Sequence, residues 1–229
     1  MILWLIISSC VGTFYSIFRW GNLNINRDFA RVFSWGALKI LRLRVEVEGI
    51  EHLESDQPCI YVANHQSNLD IVTFGTIYPQ RTLVIGKKEL TWIPFFGVFY
   101  MASGNIRIDR KRTVKAVAGL SQAVEVIKKK NASIWIFPEG TRNQTGEGLL
   151  PFKRGAFHMA MQAGIPIVPL VSSPLKSVID WKARKLKKGT VKIRVLPAIQ
   201  TRDLNEGDIL NLVRETREQM LEALHGLIP

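Results

Sequence analysis

The sequence predicts an α/β fold: a single domain with a mixed, largely parallel central sheet flanked by helices, preceded by an N-terminal membrane helix and an interfacial helix. Three observations predict it. From Arg44 onward, short β-branched runs alternate with longer helical stretches, the pattern of crossover-connected strands rather than of a bundle or a sandwich. The run Met1 to Phe18 carries no charged side chain. The segment after it is amphipathic, with cations gathered on one side. The chain therefore divides at 43/44 into an N-terminal anchoring segment, 1–43, and a main domain, 44–229.

As a helix rising about 1.5 Å per residue, Met1 to Phe18 would reach roughly 27 Å, close to the hydrocarbon thickness of a bilayer. A secretory leader would need a basic start and a small-residue cleavage site, and no Lys or Arg precedes Arg19. A buried core helix is the other reading. Arg19, Arg27, Arg31, Lys39, Arg42 and Arg44 follow closely, and the positive-inside bias puts the rest of the chain on the cytoplasmic face of the membrane. Trp4 and Trp20 suit the two interfaces. In Phe29 to Leu43, helical spacing gathers Arg31, Lys39 and Arg42 on one side and Phe33, Ala37, Ile40 and Leu41 opposite, with Trp35 and Leu38 nearer the basic side. That arrangement fits a helix lying on a bilayer, or an ordinary amphipathic helix packed on the domain.

Strands are predicted at Arg44 to Glu48, Cys59 to Ala63, Thr82 to Ile85, Ile106 to Ile108, Ser133 to Phe137, Ile167 to Val171 and Val191 to Leu196. Helices are predicted at about Asn68 to Ile77, Thr113 to Lys130, Gly155 to Ala163 and Glu206 to Leu224. No repeat or Pro-rich linker divides this body. With 229 residues, 47% of them hydrophobic, the chain can bury one substantial core. Cys10 and Cys59 stand far apart and supply neither a disulfide framework nor a zinc ligand set. The formal net charge is +12, which favours an anionic partner; nucleic acid and anionic lipid both qualify. The uncharged N-terminus selects lipid, so membrane lipids are the expected partner and nucleic acid is not.

Two polar clusters directly follow predicted strands. The first is Asn64, His65, Gln66, Ser67, Asn68, Leu69, Asp70. Residues five apart on a regular helix are rotated by about 140°, so His65 meets Asp70 only if the histidine lies in the entering turn and the aspartate opens the helix. In that geometry the carboxylate holds one imidazole nitrogen and leaves the other to take a proton from an alcohol. Alone, the segment is equally compatible with a capping residue and an incidental histidine. The second cluster is Phe137, Pro138, Glu139, Gly140, Thr141, Arg142. Ligands gather along the C-terminal edge of parallel strands, which would bring the two clusters together. Gly140 permits close backbone approach, while Thr141 and Arg142 offer a hydroxyl and a forked cation suited to phosphate. A third cluster, Gly104 to Arg110, adds Arg107 and Arg110 around a short strand, and Lys87, Lys88 and Lys153 lie near other strand ends.

The four blocks Asn64 to Asp70, Gly104 to Arg110, Phe137 to Arg142 and Ile167 to Leu170 resemble, in order and spacing, the four motifs of the glycerolipid acyltransferase family, especially its lysophosphatidic acid acyltransferases. The resemblance covers roughly Glu48 to Val171. It implies that 44–229 is the catalytic domain, that His65 is a general base partnered by Asp70, and that Arg107 or Arg110, Glu139, Gly140, Thr141 and Arg142 bind the glycerol phosphate, with Lys88 a further contact. It also implies that Ile167, Val168 and Pro169 help shape the acyl or acceptor site. The substrates implied are a lysophospholipid, 1-acyl-sn-glycerol-3-phosphate, and an acyl thioester of coenzyme A or of acyl carrier protein. Glycerol-3-phosphate or another lysolipid is the alternative acceptor. A thioester is already activated, so no metal and no cofactor are expected, and the chain carries no G-x-S-x-G, Walker or H-E-x-x-H signature. From another class, a non-catalytic basic membrane-binding module remains as the alternative. Two stretches stay open: Trp92 to Met101 reads as core packing or as the lining of an acyl tunnel, and Trp181 to Lys188, with five cations, as a solvated face or a contact for lipid headgroups.

Overall fold

The computed structural model describes residues 2–53, 57–108, 113–145, 147–180 and 185–228. It contains a seven-stranded sheet built from β1 (Leu43–Glu48), β2 (Ile60–Ala63), β3 (Thr82–Lys87), β4 (Ile106–Ile108), β5 (Ser133–Ile136), β6 (Ile167–Ser172) and β9 (Gly189–Val195). A separate hairpin pairs β7 (Ile179–Asp180) with β8 (Lys185–Leu186). The sheet order is β1-β9-β6-β2-β5-β3-β4. Five neighbouring strands, β6 to β4, run parallel, as do β1 and β9, and the two blocks meet antiparallel at β6 and β9. The single α/β domain with a mixed, mostly parallel sheet is thus the predicted one.

Alternation along the central strands separates two cores. Ile60, Val62, Ile134, Ile167 and Val171 face α5 (Thr113–Lys130), α6 (Gly155–Ala163) and α7 (Ile209–His225). Tyr61, Ala63, Trp135, Val168 and Leu170 face the opposite layer, where α2 (Ile25–Leu41) crosses the short α3 (Asp70–Phe74). Outside it, α1 (Ile2–Phe18) packs on α2 and on α4 (Phe96–Ala102). The structure places α5 and α6 at their predicted bounds. It shortens Asn68 to Ile77 into α3 and one 3-10 turn, because Asn68 and Leu69 belong to the loop that delivers Asp70.

No helix among the described residues is long and apolar enough to cross a membrane, and the expected span over Met1 to Phe18 is corrected accordingly. One face of α1 is committed to protein. Trp4 Nε1 donates to the Phe33 carbonyl at 2.9 Å, Thr13 Oγ1 donates to the Phe95 carbonyl at 2.9 Å, and Gly12 lies against the rings of Phe29 and Phe99. The opposite face leaves Leu3, Val11, Phe14 and Phe18 exposed. The apolar side of α2 is also turned inward through Phe33, Ala37 and Leu41, but Ile40, expected with them, is exposed. The stretch Trp92 to Met101 divides similarly: Phe99 and Tyr100 are core, while Trp92, Phe95 and Val98 are exposed.

The α2 and α3 layers approach closely because Gly75 has no side chain. A Cβ there would stand 2.1 Å from Ser34 Oγ and 3.0 Å from the Ala30 carbonyl oxygen. Gly75→Ala is expected to lower stability by about 1–3 kcal/mol through overpacking, measured as a fall in the thermal unfolding midpoint.

Candidate active site

The geometric condition set by the five-residue spacing is met. His65 lies in the loop leaving β2, and Asp70 is the first residue of α3. His65 Nδ1 is 2.6 Å from Asp70 Oδ2. The same oxygen accepts from the Gln66 and Ser67 backbone N–H groups at 2.7 and 3.0 Å, as an ionised carboxylate does. With two donors already aimed at that oxygen, Nδ1 must donate as well, which leaves the lone pair on Nε2. Asp70 is fully buried, and its Oδ1 has no hydrogen-bond partner among the described residues. The imidazole stacks on Phe137, with centroids 4.1 Å apart and planes 13° apart. The ring is therefore fixed in both tilt and rotation.

The backbone of His65 is held by the second cluster. Its N–H donates to Glu139 Oε1 at 2.7 Å, and its carbonyl accepts from the Asn143 N–H at 2.7 Å. Glu139 Oε2 accepts from the Leu150 N–H at 3.0 Å. Both oxygens of this buried carboxyl thus face backbone, whereas the resemblance assigns Glu139 to the substrate. Burial pushes the Glu139 carboxyl above its usual range, and the N–H donors of His65 and Leu150 draw it partly back. On the other side of β2, Asn64 exchanges two hydrogen bonds with the Ser172 backbone at 3.1 and 2.8 Å. Gln66 donates to the carbonyls of Ser172 and Ser173 and accepts from the Leu175 N–H.

Of the other predicted site residues, Thr141 and Arg142 are exposed beside the histidine, and Arg142 Nη1 donates to Asn68 Oδ1 at 2.8 Å. Gly140 has φ +69°, and a Cβ there would stand 2.7 Å from Lys153 Cε and 2.9 Å from its Nζ. The backbone thus passes directly under that ammonium. Lys88 follows the end of β3, two strands from β2, and Arg107 lies in β4, a third strand away. Both are exposed at the same sheet edge as His65, but Arg107 contacts Met101 rather than the His65 cluster. Arg110 lies outside the described residues. Ile167, Val168 and Pro169 are buried within β6, where they align the strand whose last residue, Ser172, meets Asn64. The sequence reading missed Gln66, Asn143 and the Phe137 stack as supports of His65; their contacts join segments about seventy to one hundred positions apart, which no local pattern announces.

Two outcomes follow from this packing. Asp70→Asn turns an amide toward N–H donors, and should lower stability by about 2–3 kcal/mol in chemical denaturation while depressing turnover. A carboxyl whose folded pKa is raised stabilises the fold at low pH and loses that contribution as pH rises from 4.5 through the raised value. The stability of the parent relative to Glu139→Gln should therefore be greatest in acid and decline as pH rises through that window, measured by unfolding at a series of pH values.

Comparison with known proteins identifies the family. The family model described as Acyltransferase matches residues 44–173. The chain is 40% identical over 201 residues to the human protein named 1-acyl-sn-glycerol-3-phosphate acyltransferase alpha, covering 83% of this chain and 71% of that one. It is 39% identical over 219 residues to the Escherichia coli protein named 1-acyl-sn-glycerol-3-phosphate acyltransferase, covering 95% and 88%. A crystal structure of a 1-acyl-sn-glycerophosphate acyltransferase from Thermotoga maritima has the same fold, with a TM-score of 0.78, 24% identity, and coverage of 99% and 93%. The chain belongs to the acyltransferase family, with the 1-acyl-sn-glycerol-3-phosphate acyltransferases as its relatives.

Proposed function

We propose that the protein transfers a fatty acyl group from a thioester to the sn-2 hydroxyl of 1-acyl-sn-glycerol-3-phosphate, giving phosphatidate and a free thiol. The single observation that carries this is the His65 imidazole, held through Nδ1 by a buried carboxylate with Nε2 left for substrate. In the step, Nε2 removes the hydroxyl proton as that oxygen attacks the thioester carbonyl; the new C–O bond replaces the C–S bond, and the proton passes from His65 to the departing thiolate. Asp70 stabilises the imidazolium while it exists. The donor carries coenzyme A or acyl carrier protein.

The acceptor phosphate is assigned to Arg142, Thr141 and the narrow passage over Gly140, with Lys153 as a second cation. Lys88, Arg107 and Arg110 are assigned to the outer part of the same anionic approach, and Glu139 to positioning His65. Asn68, already bonded to Arg142, sets where the guanidinium waits.

Residues 1–43 are proposed to seat the catalytic body, 44–229, in the cytoplasmic leaflet without crossing it. The exposed apolar side chains of α1, among them Leu3, Val11, Phe14 and Phe18, support this reading, together with Trp92, Ile93 and Phe95, which follow the active-site end of β3. A substrate whose acyl chain stays in the bilayer then reaches His65 from the side.

His65→Ala is expected to lower turnover by about 10²-fold or more, measured as thiol release that requires both lysophosphatidate and acyl donor; half of the parent rate in that variant would remove the general-base role. Arg142→Ala is expected to raise KM for lysophosphatidate more than for the donor. Equal changes in both would place Arg142 away from the phosphate.

A further inference from the structure

Four basic side chains, Lys39, Arg42, Arg44 and Lys188, take no part in the site described above. Between the C-terminal end of α2 and the first residues of β1 and β9 lies an open cleft of about 670 Å³, lined by Trp35, Lys39, Arg42, Arg44, Lys188 and Thr190 among others. We infer that this cleft binds the phosphate of an anionic phospholipid, at a place separate from the acyl-transfer site. The inference rests on the proposed seating of the protein on a membrane.

Charge is the first observation. Among the described residues no carboxylate lines the cleft and no ion pair involves Lys39, Arg42, Arg44 or Lys188. Further along the same two strands the pattern differs. Glu46 stands opposite Lys192 and Glu48 opposite Arg194, and Arg194 Nε meets Glu48 Oε2 at 2.7 Å. Arg44 stands opposite Thr190, which brings a hydroxyl instead of a counter-charge. Lys39 and Arg42 alone would be ordinary cations at a helix C-terminus; Arg44 and Lys188 come from strand starts and have no helix end to neutralise. Four cations converging on one concavity repel one another unless an anion enters it.

Position is the second observation. Because β9 runs antiparallel to β6, with Ile193 opposite Ser172, the starts of β9 and β1 lie at the sheet edge that carries His65. In the order β1-β9-β6-β2, three strand spacings of about 4.8 Å put the cleft roughly 14 Å along that edge from β2. The rim is apolar on the α2 side: Trp35 and Ile40 are exposed, and Lys39 Nζ sits 3.8 Å from the centroid of the Trp35 ring. An aromatic ring joined to cations at the edge of an apolar face suits the boundary where lipid phosphates lie. Nucleic acid would share the charge but not the apolar rim.

The test is binding of the full chain to phosphatidylcholine vesicles with and without a minority of phosphatidylglycerol. The parent should prefer the anionic vesicles, and Arg44→Gln with Lys188→Gln should lose roughly tenfold or more of that added affinity, keep its affinity for neutral vesicles, unfold at the parent temperature, and retain acyl transfer to detergent-dispersed substrate. Lys128→Gln with Lys130→Gln removes the same charge from the end of α5 and should keep the preference. Equal losses in the two double variants would reduce the effect to diffuse charge and overturn the site, as would an undiminished preference in the cleft variant or a loss of its activity on dispersed substrate. Parent protein that binds neither vesicle would overturn the membrane reading along with the cleft.

Discussion

The hydrogen bond from His65 Nδ1 to Asp70 Oδ2 organises this molecule. It needs a carboxyl oxygen in a fully buried position, and three N–H donors converging on that oxygen supply the hydrogen bonds that water would otherwise give. It also needs the loop after β2 to take a single path. That path is fixed from both neighbours of the strand: β6 holds Asn64 and Gln66, and the turn after β5 holds both backbone groups of His65. The central order β6-β2-β5 therefore sets where the histidine stands.

Much of this was legible from residues, and the reasons are physical. Apolar runs ending abruptly in polar clusters mark strand ends in a parallel sheet, so the pairing of His65 and Asp70 with the Glu139 turn could be anticipated from topology. The bounds of α5 and α6 followed from helical periodicity uninterrupted by Pro, with Gly119 tolerated inside α5. Glu139 was harder. Its carboxyl could be read as a ligand for glycerol phosphate, but only coordinates disclose that the His65 and Leu150 amides face its two oxygens. Arg107 was grouped with the site because its segment resembles a motif, while strand order sets it three positions from β2.

The N-terminal helix shows where composition misleads. An uncharged run near the length of a bilayer is equally suited to lipid and to a protein layer, and nothing in its periodicity separates the two. What decides is small and specific: Gly12 opposite two phenylalanine rings, Gly36 under the Trp4 ring, and two side-chain bonds to carbonyls of α2 and of the segment before α4. The helix thus divides its surface between the domain and the outside, and α2, carrying the cations, fills the space between it and the sheet.

The bond from the Asn143 amide to the His65 carbonyl has a mechanical meaning. Asn143 is the immediate neighbour of Arg142, whose guanidinium rests on Asn68. The peptide that carries the exposed guanidinium and the backbone that carries the imidazole are thereby fastened to one another through a single turn.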